Sequence, residues 1–378
     1  MPIFKINDKL DYSSIIGDDD ILNFNPTSGD GSKYVSARDA LHNSDIYSII
    51  FQISSDLASS TLVADMPKAQ GILNNPSSTT NGRAFWQSMF AQLLLGGESF
   101  AYRFRNMNGT DARWEYLRPS QVSPFLLADG SGLIYNLTFD EPQIGIMNNV
   151  PQRDVIHLRL MSNNGGMTGI SPLTALASEI DIKNNVNRLT LNALSKSVSA
   201  GGVLTLKAGS KMDADLRKKR ANKFINDSQN GIVVLDELEE FSPLEVKSNV
   251  ADLLKQVNWT GSQIAKAYGV PDSVINGTGD QQSSIQMENT IYTKAIARYS
   301  DAIVGELNDK LSANITMDLR AAVDPTGDVY ASTIGELAKN QAIAPNQATY
   351  LLKQAGFFME DLPDAIFPEK GGDNNGTN

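Results

Sequence analysis

The side chains that most often carry catalysis or bind metals are sparse in this sequence. Its 378 residues include two histidines, His42 and His157, and no cysteine. Thiolate metal sites and a cysteine nucleophile are therefore excluded, and neither histidine has visible partners for a zinc site or a Ser-His-Asp site. His157 alternates within the apolar segment DVIHLRL, a pattern typical of a packed, hydrogen-bonded residue. We expect no metal site and no cofactor.

Two short patterns before a predicted helix resemble reactive motifs. Residues 165–169, GGMTG, could cradle a phosphate at a helix N-terminus, but they match neither GxxxxGK[ST] nor GxGxxG and contain no lysine. Gly169-Ile170-Ser171-Pro172 lacks the second glycine of a nucleophile elbow. We interpret the glycines as a turn, Ser171 as an N-cap and Pro172 as the first helical residue. No catalytic residue is predicted here.

A pair of carboxylates offers the alternative of an enzyme. Asp236 and Glu239 lie in a predicted hairpin, and paired carboxylates can serve a hydrolase. Acidic residues in a hairpin turn are usually solvated, so we expect the chain not to be an enzyme. A pH-dependent activity abolished by Asp236→Asn would revive the hydrolase hypothesis.

One basic cluster and one neutral loop are candidates for contacts with other macromolecules. Arg217-Lys218-Lys219-Arg220, with Lys223, lies on a predicted surface helix between acidic residues. This cluster forms either a solvated face or a contact with DNA or an acidic partner. The loop 276–284 is rich in Gly, Gln and Ser, and could touch a polyanion through weak neutral hydrogen bonds.

Composition argues against static DNA binding. The formal net charge is −11, whereas a protein that grips DNA phosphates carries a basic excess. Passage of DNA along a weakly interacting wall remains compatible with this charge. The start MPIFKINDKLDYSS is unlike a signal peptide, and apolar stretches such as Phe90 to Gly96 are too short to span a bilayer. We expect a soluble protein of cytoplasmic origin.

Hydrophobic periodicity predicts a multi-module α+β protein. Helical spacing alternates with a block of strands from Glu98 to about Leu160. A strand, a basic helix and a hairpin follow as a small β–α–β–β unit within 200–246. The predicted helices are 45–62, 81–97, 172–197, 249–268, 286–311, 331–341 and 346–355. The tail PEKGGDNNGTN is of low complexity, and we expect it to be disordered.

Several segments together resemble the portal proteins of tailed bacteriophages, in the short branch typical of siphophages. They are ILNNPSSTTNGRAFWQSMFAQLLLGGESFAYRFRN, YLRPSQVSPF, DVIHLRLMSNNGGMTGISPLTAL, GGVLTL, GIVVLDELEEFSPL and IAKAYGVPDSVING. Their order and spacing match the family from about residue 45 to 312. GELAKNQAIAPNQATYLLKQAG resembles the helical C-terminal part of the family. The segment DVIHLR, the pattern G-x-S-P-L and the later GVP are specific as a set.

The resemblance implies a portal fold with a β-rich wing, long stem helices, a small α/β clip and a helical crown. The implied layout runs from an N-terminal arm to a crown with a disordered tail. Its parts are the arm 1–44, wing 45–170, stem helix 171–199, clip 200–246, stem helix 247–272, tunnel loop 273–285, long helix and wing return 286–330, and crown and tail 331–378. Apolar residues on several faces of the first stem helix would suit packing between neighbours: Leu189, Leu191 and Leu194.

The resemblance also implies a structural role in a virion. About twelve copies would form a ring at one capsid vertex, through which double-stranded DNA passes without sequence preference. Partners would be the terminase, the major capsid or scaffolding protein and head–tail connector proteins, with assembly in the host cytoplasm. The channel contacts would be Gln281, Gln282 and Ser283, and the docking residues on the clip Arg217, Lys218 and Arg220. The alternative is another virion ring protein of the tail or baseplate.

Overall fold

Helices and strands occupy separate blocks of the chain. The computed structural model describes residues 12–14, 40–198, 202–206, 214–229, 239–243, 259–273 and 285–358. Within these ranges the helices are α1 (Ser44–Ser59), α2 (Pro67–Asn74), α3 (Gly82–Gly96), α4 (Pro172–Val198), α5 (Ala214–Gln229), α6 (259–268), α7 (Ile285–Leu311), α8 (Arg320–Val323), α9 (Asp328–Lys339) and α10 (Pro345–Gln354). The strands are β1 (Tyr12–Ser14), β2 (Thr61–Ala64), β3 (Glu98–Arg105), β4 (Asp111–Leu117), β5 (Val122–Leu127), β6 (Leu133–Thr138), β7 (Ile146–Pro151), β8 (Val155–Arg159), β9 (Gly202–Leu206), β10 (Glu239–Pro243) and β11 (Ile315–Asp318). This mixture is the predicted α+β class.

The larger core is built on α1 and α3, which pack against each other. Asn43 begins α1 as its N-cap, because its side-chain Oδ1 accepts the backbone N–H of Asp45 at 3.0 Å. The apolar side of α1 is buried as its spacing predicts: Ile46, Ile49, Ile50, Ile53 and Leu57. The facing side chains of α3 are also buried: Phe85, Trp86, Met89, Phe90, Leu93, Leu94 and Leu95. Each large apolar side chain buried in this way stabilises the fold by about 1.5–3 kcal/mol.

The strands that follow α3 and precede α4 in the chain form two antiparallel sheets, one of which also contains β1. One has the strand order β4-β3-β8, and the other has the order β1-β5-β6-β7. Within the first sheet, Phe100 faces Leu117 on one neighbouring strand and His157 on the other. A second core contains apolar side chains from both sheets, including Tyr135 and Leu137. The strands match the block that alternation predicts between residues 98 and 160.

A two-stranded sheet joins parts of the chain that are far apart in sequence. β2 pairs antiparallel with β11, so that Leu62 faces Met317. The outer edge of β2 is closed by Gln70, whose Nε2 donates to the Leu62 carbonyl at 2.9 Å and whose Oε1 accepts the Ala64 N–H at 2.8 Å. The amide thus substitutes for a neighbouring strand and blocks further pairing at this edge.

The small unit predicted at 200–246 is described in part. β9 pairs antiparallel with β10, and α5 lies between these two strands in the chain. The first strand of the predicted hairpin and the carboxylate of Asp236 lie outside the described residues. The same holds for the N-terminal part of the predicted helix 249–268 and for the tail after residue 358.

The long helices predicted at 172–197 and 286–311 are found as α4 and α7. The two predicted C-terminal helices are found as α9 and α10. None of the helices within the described ranges combines the length and apolar character needed to cross a membrane.

Candidate functional site

The motif that opens α4 is a structural junction. The Ser171 Oγ donates to the Leu95 carbonyl at 2.5 Å and accepts the Leu173 N–H at 3.1 Å. Pro172 is the first helical residue, where a missing N–H costs nothing. Because Ser171 is buried and caps the helix with its hydroxyl, the structure supports the N-cap interpretation rather than a nucleophile.

Two glycines allow the chain to pass closely at this junction. A Cβ at Gly169 would lie 2.3 Å from the Gly97 carbonyl oxygen, and one at Gly97 would lie 2.2 Å from the Ile170 carbonyl oxygen. Gly97 also ends α3 in the left-handed conformation, with φ of 73°. Gly165 and Gly166 have φ of 73° and 88°, as the predicted turn requires. The glycines of this motif therefore serve backbone geometry.

His157 lies at the centre of a buried polar network. Its Nε2 lies 3.1 Å from Oε1 of Glu98, and its Nδ1 lies 3.1 Å from the Tyr135 hydroxyl. Its backbone N–H donates to Oε1 of Glu306 at 3.1 Å. Glu98 also accepts the backbone N–H of Gly169 at 2.5 Å. The network therefore connects β3, β6, β8 and α7 to the junction before α4.

Charge in this network is balanced without a contribution from the histidine. Burial, followed by the nearby cations Arg159 and Lys310, lowers the pKa of His157 well below its usual value. The imidazole is therefore neutral, and its contact with Glu98 is a hydrogen bond rather than an ion pair. Lys310 Nζ lies 3.4 Å from Glu306 Oε1 and donates to the Gln152 carbonyl at 3.0 Å. This arrangement joins α7 and the chain before β8 to the network around His157.

Lys183 fixes α4 against the start of α1. Its Nζ lies 2.5 Å from Oδ2 of Asp45 and 3.1 Å from Oδ1 of Asn43, the N-cap of α1. The lysine is buried, so this ion pair is less screened by solvent than a surface pair. The first half of α4 is thereby tied to the larger core.

The second half of α4 leaves that core. Buried residues recur at helical spacing only as far as Val186: Leu173, Leu176, Ala177, Ile180, Lys183 and Val186. Leu189 and Leu191 are 53% and 67% exposed. Residues two apart on a helix point about 200° apart, so these leucines lie on nearly opposite faces. The side chain of Leu194 lies outside the described part. The described part of the subunit leaves both faces exposed.

α6 and α7 are tied to each other and to α3. The Tyr299 hydroxyl donates to the Tyr268 carbonyl at 2.7 Å, and the Tyr268 hydroxyl donates to the Leu94 carbonyl at 3.2 Å. At the start of α7, however, Met287 and Ile291 are exposed. Ile291 lies one turn before the buried Ala295 on the apolar stripe of α7 and is 42% exposed. Periodicity identifies the face of a helix but not how far along the helix that face stays in the core, and here Tyr292 still packs against the larger core.

An exposed aromatic pair on α1 was not singled out from the sequence. The rings of Tyr47 and Phe51 stack with centroids 6.1 Å apart, and both side chains are more than half exposed. Their i, i+4 spacing opposite the buried isoleucines is the signal that could have identified them. Together with Leu189 and Leu191, they leave apolar surface available for a partner.

The residues predicted to contact DNA and other proteins are only partly described. The predicted channel residues lie outside the described ranges: Gln281, Gln282 and Ser283. The predicted docking residues all lie on α5: Arg217, Lys218 and Arg220. Lys218 is exposed and Arg220 is partly exposed, whereas the side chain of Arg217 is not described. No group of histidine and acidic side chains able to hold a metal ion occurs among the residues with described positions.

Comparison with solved structures shows which fold this is. The chain resembles a chain of the virion of a native gene transfer agent particle, with TM-score 0.63 and 17% identity over 85% of this chain and 94% of that chain. It also resembles a chain of the neck of the native particle computed with C12 symmetry, with TM-score 0.62 and 18% identity over 83% of this chain and 90% of that chain. A third similar structure is the crystal structure of an HK97 family phage portal protein from Corynebacterium diphtheriae, with TM-score 0.53 and 15% identity over 78% of this chain and 98% of that chain. At these identities the likeness establishes the fold.

Sequence comparison establishes the family. No curated protein sequence matches the chain significantly. The family model described as phage portal protein, however, matches residues 45–342, well over half of the chain. The matched range spans both cores, the α4 junction and the predicted tunnel loop. The chain belongs to the phage portal protein family.

Proposed function

We propose that this chain forms a closed ring that serves as the DNA channel at one vertex of a tailed-phage capsid. Membership of the portal family and the C12 symmetry of a structurally similar neck support a ring of about twelve subunits. In this ring α4 and α6 belong to the stem, residues 200–246 form the clip and residues 273–285 form the tunnel loop. The family match favours a portal over a ring protein of the tail or baseplate.

The observation that carries this proposal is the pair of exposed leucines on opposite faces of α4. Each subunit of a head-to-tail ring contacts two neighbours through two different surfaces. A helix between two neighbours needs apolar side chains on both sides, which Leu189 and Leu191 supply. In an isolated subunit the same two side chains would remain exposed to water at a cost in solubility.

The acidic charge suits a channel through which DNA moves. Firm binding of a duplex requires cations that neutralise phosphates, and the net charge of −11 disfavours such binding. Neutral polar side chains in the tunnel loop can guide the duplex without holding it: Gln281, Gln282 and Ser283. The DNA contact is therefore weak and independent of sequence.

Docking of the packaging motor is assigned to the clip. Arg217, Lys218 and Arg220 on α5 offer positive charge to an acidic surface of the terminase. Head–tail connector proteins take the same place after packaging, and the major capsid or scaffolding protein surrounds the ring. The ring assembles in the host cytoplasm, remains at the capsid vertex and hydrolyses nothing itself.

Replacement of both exposed leucines tests the ring. Leu189→Asn combined with Leu191→Asn is expected to lower the free energy of subunit unfolding by only about 1 kcal/mol, because both side chains are more than half exposed and the main loss is helix propensity. Assembly should instead shift strongly toward monomers in analytical ultracentrifugation. The matched control Asn187→Ala changes an exposed residue on the same turn and should assemble normally. Undiminished rings in the double variant would refute this role of α4.

A further inference from the structure

The four-stranded sheet is completed by a short strand from the N-terminal segment. β1 pairs antiparallel with β5, with Tyr12, Ser13 and Ser14 facing Leu127, Leu126 and Phe125. Without β1, β5 would be the edge of this sheet, because the strand order is β1-β5-β6-β7. An open edge presents unpaired N–H and C=O groups, which are a template for any compatible extended segment.

The two ends of the N-terminal segment contact different parts of the fold, since β1 pairs with β5 whereas Ala40 lies in the larger core. Ala40, where the continuous description begins, is fully buried in the larger core. β5 contributes Val122 to the second core. The 25 residues between Ser14 and Ala40 can span at most about 90 Å when extended. A compact chain of 378 residues is only about 50 Å across. The N-terminal segment is therefore long enough to reach the equivalent edge of an adjacent subunit.

We propose that β1 of each subunit pairs with β5 of the neighbouring subunit in the ring. This inference rests on the proposed ring, in which every neighbour presents an identical β5 edge. Exchange of an identical element between copies makes the same contacts as pairing within one copy and therefore costs little. Among the described residues, β1 pairs with β5 of its own chain and with no other strand, and an identical β5 edge on a neighbour would offer it the same backbone hydrogen bonds.

Strand exchange would give the ring a second kind of subunit contact. The side chains of α4 join neighbours through apolar packing, whereas an exchanged β1 joins them through backbone hydrogen bonds and a continuous stretch of chain. The occupant of the β5 edge is therefore the N-terminal segment of a second copy of this chain. A ring linked in this way resists opening even when one apolar contact is weakened.

A disulfide across the β1–β5 pair tests the exchange directly. The sequence contains no cysteine, so two introduced thiols are the only ones present. Ser13 faces Leu126, and facing residues of antiparallel strands have Cα atoms about 4.5–5.5 Å apart, which a disulfide can bridge. Assembled rings carrying Ser13→Cys and Leu126→Cys are oxidised, denatured and separated on a non-reducing gel. Exchange predicts a ladder of covalent oligomers extending beyond the dimer.

Pairing within one subunit predicts a different pattern, which would overturn the proposal. All protein would then run as a monomer with an internal disulfide, faster than its reduced form. Absence of any disulfide would also overturn it, since β1 would then not occupy the edge. The control Ser13→Cys with Ser123→Cys places the second thiol three residues out of register on β5 and should not cross-link.

Mixed rings remove the remaining ambiguity. Subunits with only Ser13→Cys and subunits with only Leu126→Cys, carrying tags of different mass, are co-expressed and oxidised. A disulfide between the two kinds of subunit can form only by exchange. Imaging before oxidation separates the two proposals: intact rings without this disulfide contradict exchange alone, whereas absence of rings in unmodified protein contradicts the proposed function.

Discussion

His157 connects three elements through both ring nitrogens and its backbone N–H. From the sequence alone it is predicted to be a packed, hydrogen-bonded residue, and the structure confirms this. Its partners could not be predicted, because Tyr135, Glu98 and Glu306 are 22, 59 and 149 residues away along the chain. Local patterns indicate that a polar residue is buried, whereas the identity of its partners depends on the tertiary fold.

The neutral state of His157 predicts how stability depends on pH. Burial and the cations Arg159 and Lys310 lower the pKa of His157 in the folded chain, whereas the unfolded chain has the usual value near 6.5. Below that pH the unfolded state binds a proton that the folded state does not. The free energy of unfolding should therefore fall as the pH falls below about 6.5, by up to about 1.4 kcal/mol per pH unit.

Urea unfolding of His157→Gln between pH 5 and 7 measures this contribution. The variant lacks the titrating group, so its stability should depend less steeply on pH than that of wild type below pH 6.5. His42→Gln is the matched control, because His42 is the other histidine and is exposed. Equal slopes for wild type and His157→Gln would mean that His157 does not remain neutral on folding.

Gly169→Ala is expected to destabilise the fold through a steric clash with the Gly97 carbonyl, since Gly169 does not itself adopt a positive φ. The added Cβ would lie 2.3 Å from the Gly97 carbonyl oxygen, which can move only together with the end of α3. We expect a loss of about 1–3 kcal/mol in the free energy of unfolding, measured by urea denaturation. Gly71→Ala, in α2 with open space at the Cβ position, should be neutral or stabilising by up to about 1 kcal/mol. Equal effects of both changes would contradict the close packing at the junction.

At the scale of elements, helices with a continuous apolar stripe were predictable. α1, α3, α4 and α7 lie close to their predicted bounds, because 3.6-residue periodicity is a local property. α2 (Pro67–Asn74) is absent from the predicted helices, because its eight residues are too few to show a helical period clearly. Pairing of β2 with β11 could not be predicted, since each strand has four residues and about 250 residues separate them. Short strands carry too little alternation to indicate their partners.

Lys183 is expected to hold α4 and α1 together. Lys183→Met keeps the apolar stem of the side chain but leaves the largely buried Asp45 carboxylate unpaired. We expect a loss of about 1–3 kcal/mol in the free energy of unfolding, measured by urea denaturation. The control Lys294→Met removes an exposed lysine from α7 and should change the free energy of unfolding by less than about 0.5 kcal/mol.

The double variant Lys183→Met and Asp45→Asn identifies the cause of this loss. Removal of the unpaired carboxylate should recover part of the stability that Lys183→Met loses. No loss in the single variant, or no recovery in the double variant, would mean that the ion pair does not couple the two helices.

At the scale of the whole molecule, the sequence was most informative through the family that its ordered motifs resemble. That membership is confirmed, whereas the bounds of wing, stem, clip, tunnel loop and crown stay predictions. A subunit also does not show its own channel, because the channel exists only between copies. What the subunit does show is the unpaired surface, Leu189 and Leu191, from which the assembly is inferred.

The mass of the purified protein by native mass spectrometry, with negative-stain images of the same sample, tests the central claim most directly. The proposed function predicts a closed particle of about twelve times the 41.0 kDa subunit mass, with a central hole. A stable dimer without a hole, or subunits that remain monomeric both at high concentration and in particles, would contradict the ring and with it the DNA channel.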